Sequence, residues 1–342
     1  MDDIWFVRAG KESVYADDFI QSKIVAIGWS LLGNIDTNIS KPELIKLYQQ
    51  TYIDHPAGRV QVAVSQIIRF MQEIKIGHTV MTHDREKQMY YIGRITSDCI
   101  WQSDAIAELQ RTRNVEWEYQ VPRNSLSSEA KNTLGAILTL FLVRENIAAE
   151  IKSKAILIQQ SSTSSSTVLI APPIVDSDQS ELEHQIRTEL LEKSELAIED
   201  RIIRLDWEQM QELVAGILRA MGYRTTVSPR GSDRGIDIFA SPDGLGLEEP
   251  RIFVEVKHRP NTSIGSQDIR SFIGGRSSGD RCLYVSTGGY SREARYEADR
   301  SNIPINLLGI VELRKLFVDY YDKLDEEIKS LIPLKRIYVL AD

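Results

Sequence analysis

The sequence has few cysteines, no long apolar run and no excess of basic residues, and each absence excludes a class of protein. Cys99 and Cys282 are the only cysteines, so neither a disulfide framework nor a zinc site with several thiolates can form. The longest apolar run, 134–143, is shorter than the ~18 residues that span a membrane. The net charge of −8 argues against nucleic-acid binding through overall basicity, although an enzyme with a local basic surface remains compatible with it.

Motifs for nucleotide-driven motors and for export are also missing. The one Gly-Lys pair, Gly10-Lys11, lacks the upstream glycine of a P-loop, so we expect no nucleotide motor within the chain. The first residues, MDDIW, do not have the pattern of a signal peptide. We therefore expect a cytoplasmic protein with no membrane partner.

The length of 342 residues and the 42% hydrophobic content predict two domains, each with its own core. Residues 1–150 combine short strands with two helices, which predicts a small mixed α+β, barrel-like domain. One helix is predicted to begin at Ser40, which can form a capping box with Glu43, and another helix is predicted over 59–75. The strands are predicted at 4–8, 24–29, 78–83, 89–95 and 115–121.

The second half of the chain begins with a segment of different composition. Residues 151–204 contain a Ser/Thr run with Pro172-Pro173, which predicts a linker, and then a helix at 181–205 whose charges alternate in sign. Residues 205–320 alternate helices and strands, which predicts an α/β domain with an α/β/α core. We expect residues 321–342 to form a C-terminal tail.

The α/β domain opens with a helix that Asp206 caps, and four strands follow it. Apolar residues of this helix recur at helical spacing and define its core face. The strands are predicted at 235–240, 251–257, 281–287 and 303–309.

Three charged residues on two of these strands are predicted to share one face. Because side chains alternate along a strand, Glu255 and Lys257 point the same way, and Asp237 on the preceding strand could join them. Two neighbouring carboxylates favour a divalent cation such as Mg²⁺, and a lysine can serve the attacking water. The alternative is an exposed hairpin with a cross-strand ion pair.

Other residues support the first interpretation to different degrees. Lys257 is the only lysine between Arg204 and Arg314, and a lysine, unlike an arginine, can lose or share its proton at working pH. Glu208 or Glu212, on the opening helix, could add a carboxylate, or both could simply be solvated. The sequence also offers Arg230 and Arg234 beside glycines, and Ser291 as the cap of a helix, as contacts for phosphates.

At this point the region resembles the Mrr branch of the PD-(D/E)XK restriction endonucleases. The resemblance lies in "DWEQMQELVAGILRAMGY", "GSDRGIDIFA", "IFVEVKH", "DIRSFIGG", "YVSTGGYSREA" and "INLLGIVEL". It implies a Mg²⁺-dependent nuclease, with Mn²⁺ as a substitute, in which Asp237 and Glu255 bind the metal, Lys257 is catalytic and Glu208 is the helix carboxylate. Two positions depart from the pattern. No proline precedes Asp237, and many members carry glutamine in place of Glu255.

The first domain is similar to PUA-like and EVE-like domains in "WFVRAG", "VAIGW", "GHTVMTH", "YYIGRI" and "VEWEYQVPR". Such domains flip a modified base into an aromatic pocket. The resemblance implies a pocket formed by Trp29, Trp101 and Trp117, with Arg94 and Arg123 holding backbone phosphates. The alternative is that these tryptophans only fill the core.

Together the two resemblances imply a modification-dependent, type IV-like restriction endonuclease. Its partner would be modified double-stranded DNA, its role defence against foreign DNA such as that of phages, and its state a homodimer or higher oligomer. Two alternatives stay open from the sequence. One is a protein that binds modified DNA through a degenerate nuclease core without cutting it, and the other is a nuclease directed at RNA.

Overall fold

The computed structural model describes residues 4–103, 105–106, 109–136, 138–158, 180–228, 236–277 and 279–336, and for 180–189 it describes the backbone alone. The chain divides into two compact units. The first comprises residues 1–85 and 89–193, and the second comprises residues 86–88 and 194–342.

The first unit is built on an eight-stranded mixed sheet, in agreement with the predicted mixed α+β fold. The order is β2-β6-β4-β3-β1-β7, with β5 and β8 also paired to β6, and β1 runs parallel to β3. The strands are β1 (Ile4–Val7), β2 (Ile24–Ile27), β3 (Thr79–Asp84), β4 (Met89–Ile95), β5 (Ile100–Trp101), β6 (Arg111–Pro122), β7 (Leu140–Leu142) and β8 (Ile156–Leu157). The helices are α1 (Ala16–Gln21), α2 (Lys41–Thr51), α3 (Ala57–Ile68), α4 (Ser128–Leu134) and α5 (Glu145–Lys154).

Local signals explain some of these elements and tertiary contacts explain others. Helix α2 begins at the predicted capping box, in which Ser40 and Glu43 satisfy each other's backbone N–H groups. Strand β6 begins four residues before its predicted start because Arg113 is buried and donates to the carbonyl oxygens of Phe70 and Met71. A short π-helical turn, Arg69–Glu73, extends α3.

The two units are connected by helix α6 (Ser180–Ile203), which matches the predicted charged helix. The predicted linker residues 159–179 lie outside the described residues. Within the described part of the chain, no helix is both long enough and apolar enough to cross a membrane.

The second unit is a five-stranded sheet with helices on both faces, which confirms the predicted α/β/α core. The order is β13-β12-β11-β10-β9, in which β9, β10 and β11 are antiparallel and β11, β12 and β13 are parallel. The strands are β9 (Arg224–Val227), β10 (Ile238–Ser241), β11 (Arg251–Lys257), β12 (Asp280–Ser286) and β13 (Ile305–Leu308). The helices are α7 (Trp207–Ala220), α8 (Ser266–Ile273), α9 (Arg292–Asp299), α10 (Ile310–Asp319) and α11 (Glu326–Leu331).

The C-terminal segment, predicted as a tail over 321–342, is part of this unit's core as far as Ile332. Leu324, Ile328 and Ile332 are buried in the same apolar cluster as α7 and α10. The prediction of a tail was wrong for these residues because their apolar side chains cover α7. Gly216 of α7 lies directly beneath Ile328.

Candidate active site

The two central antiparallel strands of the second unit bring Asp237 and Glu255 next to each other. The register pairs Ile238 with Val254, and the N–H of Asp237, immediately before β10, also donates to the carbonyl oxygen of Val254 at 2.9 Å. The Asp237 carboxylate reaches the N–H of Val256, the residue after Glu255, so the two acidic residues are neighbours. Both carboxylates are only 7% exposed.

The face that carries Glu255 is the one covered by α8 and α9. Ile238, Val254 and Val256 point to the other face, into the core beneath α7 and α10. Phe253 points with Glu255 and packs against the cluster of α8 and α9. The alternation of side chains along β11 is therefore as predicted from the sequence.

One hydrogen bond and one ion pair fix the acidic pair in place. One oxygen of Asp237, Oδ2, accepts a hydrogen bond from the backbone N–H of Val256 at 2.6 Å. The Lys257 Nζ atom forms an ion pair with Glu255 Oε1 and stays partly open to solvent, with 31% of its side chain exposed. The predicted trio of Asp237, Glu255 and Lys257 is thus brought together at one end of β11.

Electrostatics make the position of Glu255 unfavourable for a lone carboxylate. Burial raises its pKa, the hydrogen bond and charge of Lys257 lower it, and the charges of Asp237 and Asp268 raise it again. The net result is a raised pKa, so the ionised form carries a desolvation cost. A cation beside Glu255 would offset that cost.

The donor set fits a hard cation that retains water. Among the described residues no group of three or more His, Cys, Asp or Glu side chains is arranged so that it could hold a metal ion. Two buried carboxylates nevertheless suit Mg²⁺, which in proteins often takes one or two carboxylates together with waters and phosphate oxygens. Asp237 and Glu255 are the residues that would hold it.

The structure does not add the expected helix carboxylate to this pair. Glu208 is exposed in the first turn of α7. Glu212 is also exposed and lies 3.6 Å from Arg219 in an ion pair. Neither joins Asp237 and Glu255 in a group of three ligands.

Two polar residues that sequence reasoning passed over are buried in this unit. Gln211 of α7 is 1% exposed, and its Nε2 atom has no hydrogen-bond partner. Its spacing of four residues from Trp207 and three from Val214 would have placed it on the core side of the helix. The second residue is Tyr284, on β12 next to Glu255.

Of the three residues of this unit that were predicted to contact phosphates, the structure describes one. Arg230 and Arg234 lie outside the described residues. Ser291 caps α9, as predicted, and its hydroxyl accepts a hydrogen bond from Ala294 N at 3.1 Å. Its contact with a phosphate stays a prediction.

The two arginines predicted to hold phosphates in the first unit have different surroundings. Arg94 is exposed and lies 3.3 Å from Glu118 in an ion pair. Arg123 is 2% exposed and donates to the Tyr90 hydroxyl at 2.5 Å. A side chain so deeply buried supports the core and does not meet a phosphate at the surface, so the prediction that Arg123 contacts DNA was wrong.

The three tryptophans predicted to form one pocket are divided between two places. Trp101 pairs with Arg111 across β5 and β6, whereas Trp117 lies six positions further along β6. Six strand residues span about 20 Å, so one base cannot touch both rings. Trp117 instead packs against the core and donates to Phe19 O at 3.0 Å.

Arg111 connects the other two tryptophans. Its guanidinium lies 4.9 Å from the Trp101 ring centroid and donates to the carbonyl oxygens of Trp29 at 2.9 Å and Gly33 at 2.6 Å. Trp29 has a φ of 62°, a conformation that bulky residues rarely adopt. Burial lowers the pKa of Arg111 to about 10, with smaller opposing effects of Cys99 and Tyr52. Arg111 therefore fixes the loop that carries Trp29.

Comparison with known families assigns the second unit. Residues 202–317 match the Mrr catalytic family model, described as a restriction endonuclease. Residues 5–140 match a model described as a domain of unknown function, DUF8426. The resemblance of the second unit to Mrr-type nucleases is thereby confirmed, whereas the resemblance of the first unit to PUA-like and EVE-like domains is not.

Individual relatives are distant. The Uncharacterized protein y4cE of Sinorhizobium fredii is 26% identical over 98 residues, which cover 28% of this chain and a quarter (25%) of that protein. Two solved structures align with 96% of this chain. One is MspJI restriction endonuclease in complex with a 27-mer oligonucleotide, with 12% sequence identity, 79% of that chain covered and a TM-score of 0.27. The other is the DNA modification-dependent restriction endonuclease AspBHI, with 11% sequence identity, 84% of that chain covered and a TM-score of 0.32. TM-scores this low support no inference about this chain.

Proposed function

We propose that this chain, which carries an Mrr-type restriction endonuclease domain over residues 202–317, is an endonuclease that hydrolyses phosphodiester bonds in modified double-stranded DNA. The observation that carries the proposal is the proximity of Asp237, Glu255 and Lys257 at one end of β11, within that domain. Buried carboxylates with a shifted pKa, such as that of Glu255, are typical of functional sites.

Each of the three residues has a role in this proposal. Asp237 and Glu255 are the residues that would hold Mg²⁺, or Mn²⁺ in its place. The bound ion would stabilise the negative charge that develops on the phosphate. Lys257, held by Glu255 at the edge of the site, orients the attacking water and donates to a phosphate oxygen. Glu208 is left without an assigned role.

The first unit would select the DNA. In this proposal residues 1–150 recognise a modified base with Trp29 and Trp101, and Arg94 contacts the backbone. The support for it is the buried Arg111, which holds the Trp29 loop and stacks on Trp101. Residues 205–320 then cut. One site cuts one strand, so a double-strand break requires a homodimer or two successive nicks, and the proposed role is cytoplasmic defence against foreign DNA.

The test is a cleavage assay on unmodified DNA and on DNA with 5-methylcytosine, 5-hydroxymethylcytosine or 6-methyladenine, each with Mg²⁺ or with a chelator. We expect cleavage of at least one modified substrate with Mg²⁺ and none with chelator. Lys257→Ala should lose cleavage and keep DNA binding. Lys315→Ala, which changes an exposed lysine of α10, is the matched control and should cut normally.

Two results would replace this proposal with another function. Binding of modified DNA with no Mg²⁺-dependent cleavage would identify a binding protein with a degenerate nuclease core. Stronger competition by structured RNA than by methylated DNA would identify an RNA-directed enzyme.

A further inference from the structure

Tyr284 is a buried tyrosine whose hydroxyl has no partner. The residue lies in the middle of β12 and is 0% exposed. Its hydroxyl forms no hydrogen bond within the described part of the chain. Buried tyrosine hydroxyls usually have a hydrogen-bond partner, and an exception calls for a functional or structural reason.

A second tyrosine close by shows that the packing here can satisfy a hydroxyl. The rings of Tyr284 and Tyr290 are 6.2 Å apart and meet edge to face. The Tyr290 hydroxyl donates to the carbonyl oxygen of Tyr284 at 2.7 Å and lies 3.0 Å from that of Leu308. Tyr290 is thus explained by structure alone, and Tyr284 is not.

The sheet places Tyr284 next to the acidic pair. Strands β11 and β12 are parallel, and their register pairs Glu255 with Tyr284, so the two side chains are neighbours on one face. Phe272 packs edge to face against the Tyr284 ring, with centroids 5.2 Å apart. Burial raises the pKa of Tyr284, and the charges of Glu255, Asp268 and Asp237 raise it further. The phenol therefore remains a neutral donor beside these carboxylates.

We propose that Tyr284 is a positioning residue for the metal site, and that its hydroxyl donates to the Glu255 carboxylate when a divalent cation is bound. This inference rests on the proposed function of Asp237 and Glu255. Lys257 pairs with Glu255 Oε1. A cation bound by this carboxylate would share it with Lys257, and a neutral donor can hold the carboxylate without repelling the ion.

Manganese binding to the full chain tests this role through Tyr284→Phe, which keeps the ring and removes only the hydroxyl. Isothermal titration calorimetry should show Mn²⁺ affinity about 10- to 100-fold weaker than wild type, the usual effect of losing a hydrogen bond to a metal ligand. Urea unfolding without metal should show no loss of stability, because the lost hydroxyl had no partner. The matched control, Tyr290→Phe, should lose stability and keep the wild-type Mn²⁺ affinity.

The possible results separate this inference from the proposed function. Wild-type Mn²⁺ affinity in Tyr284→Phe would overturn the inference and leave the proposed function intact. Equal losses of stability in Tyr284→Phe and Tyr290→Phe would also overturn it, by making Tyr284 structural. Failure of wild-type protein to bind Mn²⁺ would reject the metal site itself, and this inference with it.

Discussion

Replacing Arg314 with methionine is expected to destabilise the second unit strongly, because it removes the guanidinium that pairs with a buried carboxylate. Arg314 of α10 is 5% exposed. Its Nη1 atom lies 3.0 Å from Glu195 Oε1, and its Nε donates to Glu199 Oε1 at 3.2 Å. Glu199, on α6, is 0% exposed, so water cannot replace the lost guanidinium.

The magnitude follows from this burial. Removing one partner of a buried ion pair typically costs about 3 to 5 kcal/mol, whereas an exposed pair contributes about 0 to 1 kcal/mol. Arg314→Met should therefore lower the free energy of unfolding by about 3 to 5 kcal/mol. Arg219 provides the matched control, since its pair with Asp325 at 2.8 Å is half open to solvent, and Arg219→Met should cost no more than about 1 kcal/mol.

The assay is urea denaturation monitored by hydrogen exchange with mass spectrometry. This method measures the unfolding of α6 and α10 separately from that of the first unit. Combining Arg314→Met with Glu199→Leu should recover most of the loss, because a well-packed apolar pair can replace a buried ion pair. Equal effects of Arg314→Met and Arg219→Met would refute the reasoning. Helix α6 would then be a solvated helix that does not pack on α10.

Three further predictions concern packing, pH and DNA recognition. Gly216→Ala should destabilise the second unit by about 1 to 3 kcal/mol, less the gain in helix propensity, because the new Cβ would lie 2.6 Å from the buried Ile328 side chain. Gly58→Ala, in open space on α3, is the control and should stabilise the first unit by about 0.5 to 1 kcal/mol. Thermal unfolding measures both changes. Burial, with the charges of nearby arginines, holds the pKa of His83 well below 6.5. The unfolded chain therefore takes up a proton that the folded chain does not, and the first unit should lose stability as the pH falls below about 6.5. His83→Gln should flatten that pH profile, and an unchanged profile would contradict the assignment. Trp101→Ala should weaken binding of modified DNA about 5- to 150-fold by fluorescence anisotropy, the value of one lost base stack, whereas Trp117→Phe should bind as wild type.

Local geometry explains what could be predicted from the sequence. The alternation of side chains along β11 was enough to place Glu255 and Lys257 on one face, whereas Asp237 is brought beside them by the hydrogen bond that its carboxylate accepts from the Val256 N–H. The capping boxes at Ser40 and Asp206 also involve only neighbouring residues, so the helix starts were predicted correctly.

Contacts between distant residues account for what was missed. Strand β6 was predicted too short because Arg111 and Arg113 resemble surface residues in sequence, yet backbone carbonyls from distant segments surround both. The separation of Trp101 from Trp117 depends on the pairing of β5 with β6, which no local pattern encodes. The unpartnered hydroxyl of Tyr284 is likewise visible only in three dimensions.

The most direct measurement is the initial rate at which wild-type protein and Asp237→Asn cut modified plasmid DNA in Mg²⁺. Asparagine keeps an acceptor for the Val256 N–H, so the fold should be unchanged, as circular dichroism can verify. We predict a rate at least ~100-fold below wild type with DNA binding retained, the scale expected when an electrostatic contact to the transition state is lost. Cleavage by Asp237→Asn at the wild-type rate would contradict the assignment of Asp237 and Glu255 as the metal-binding pair.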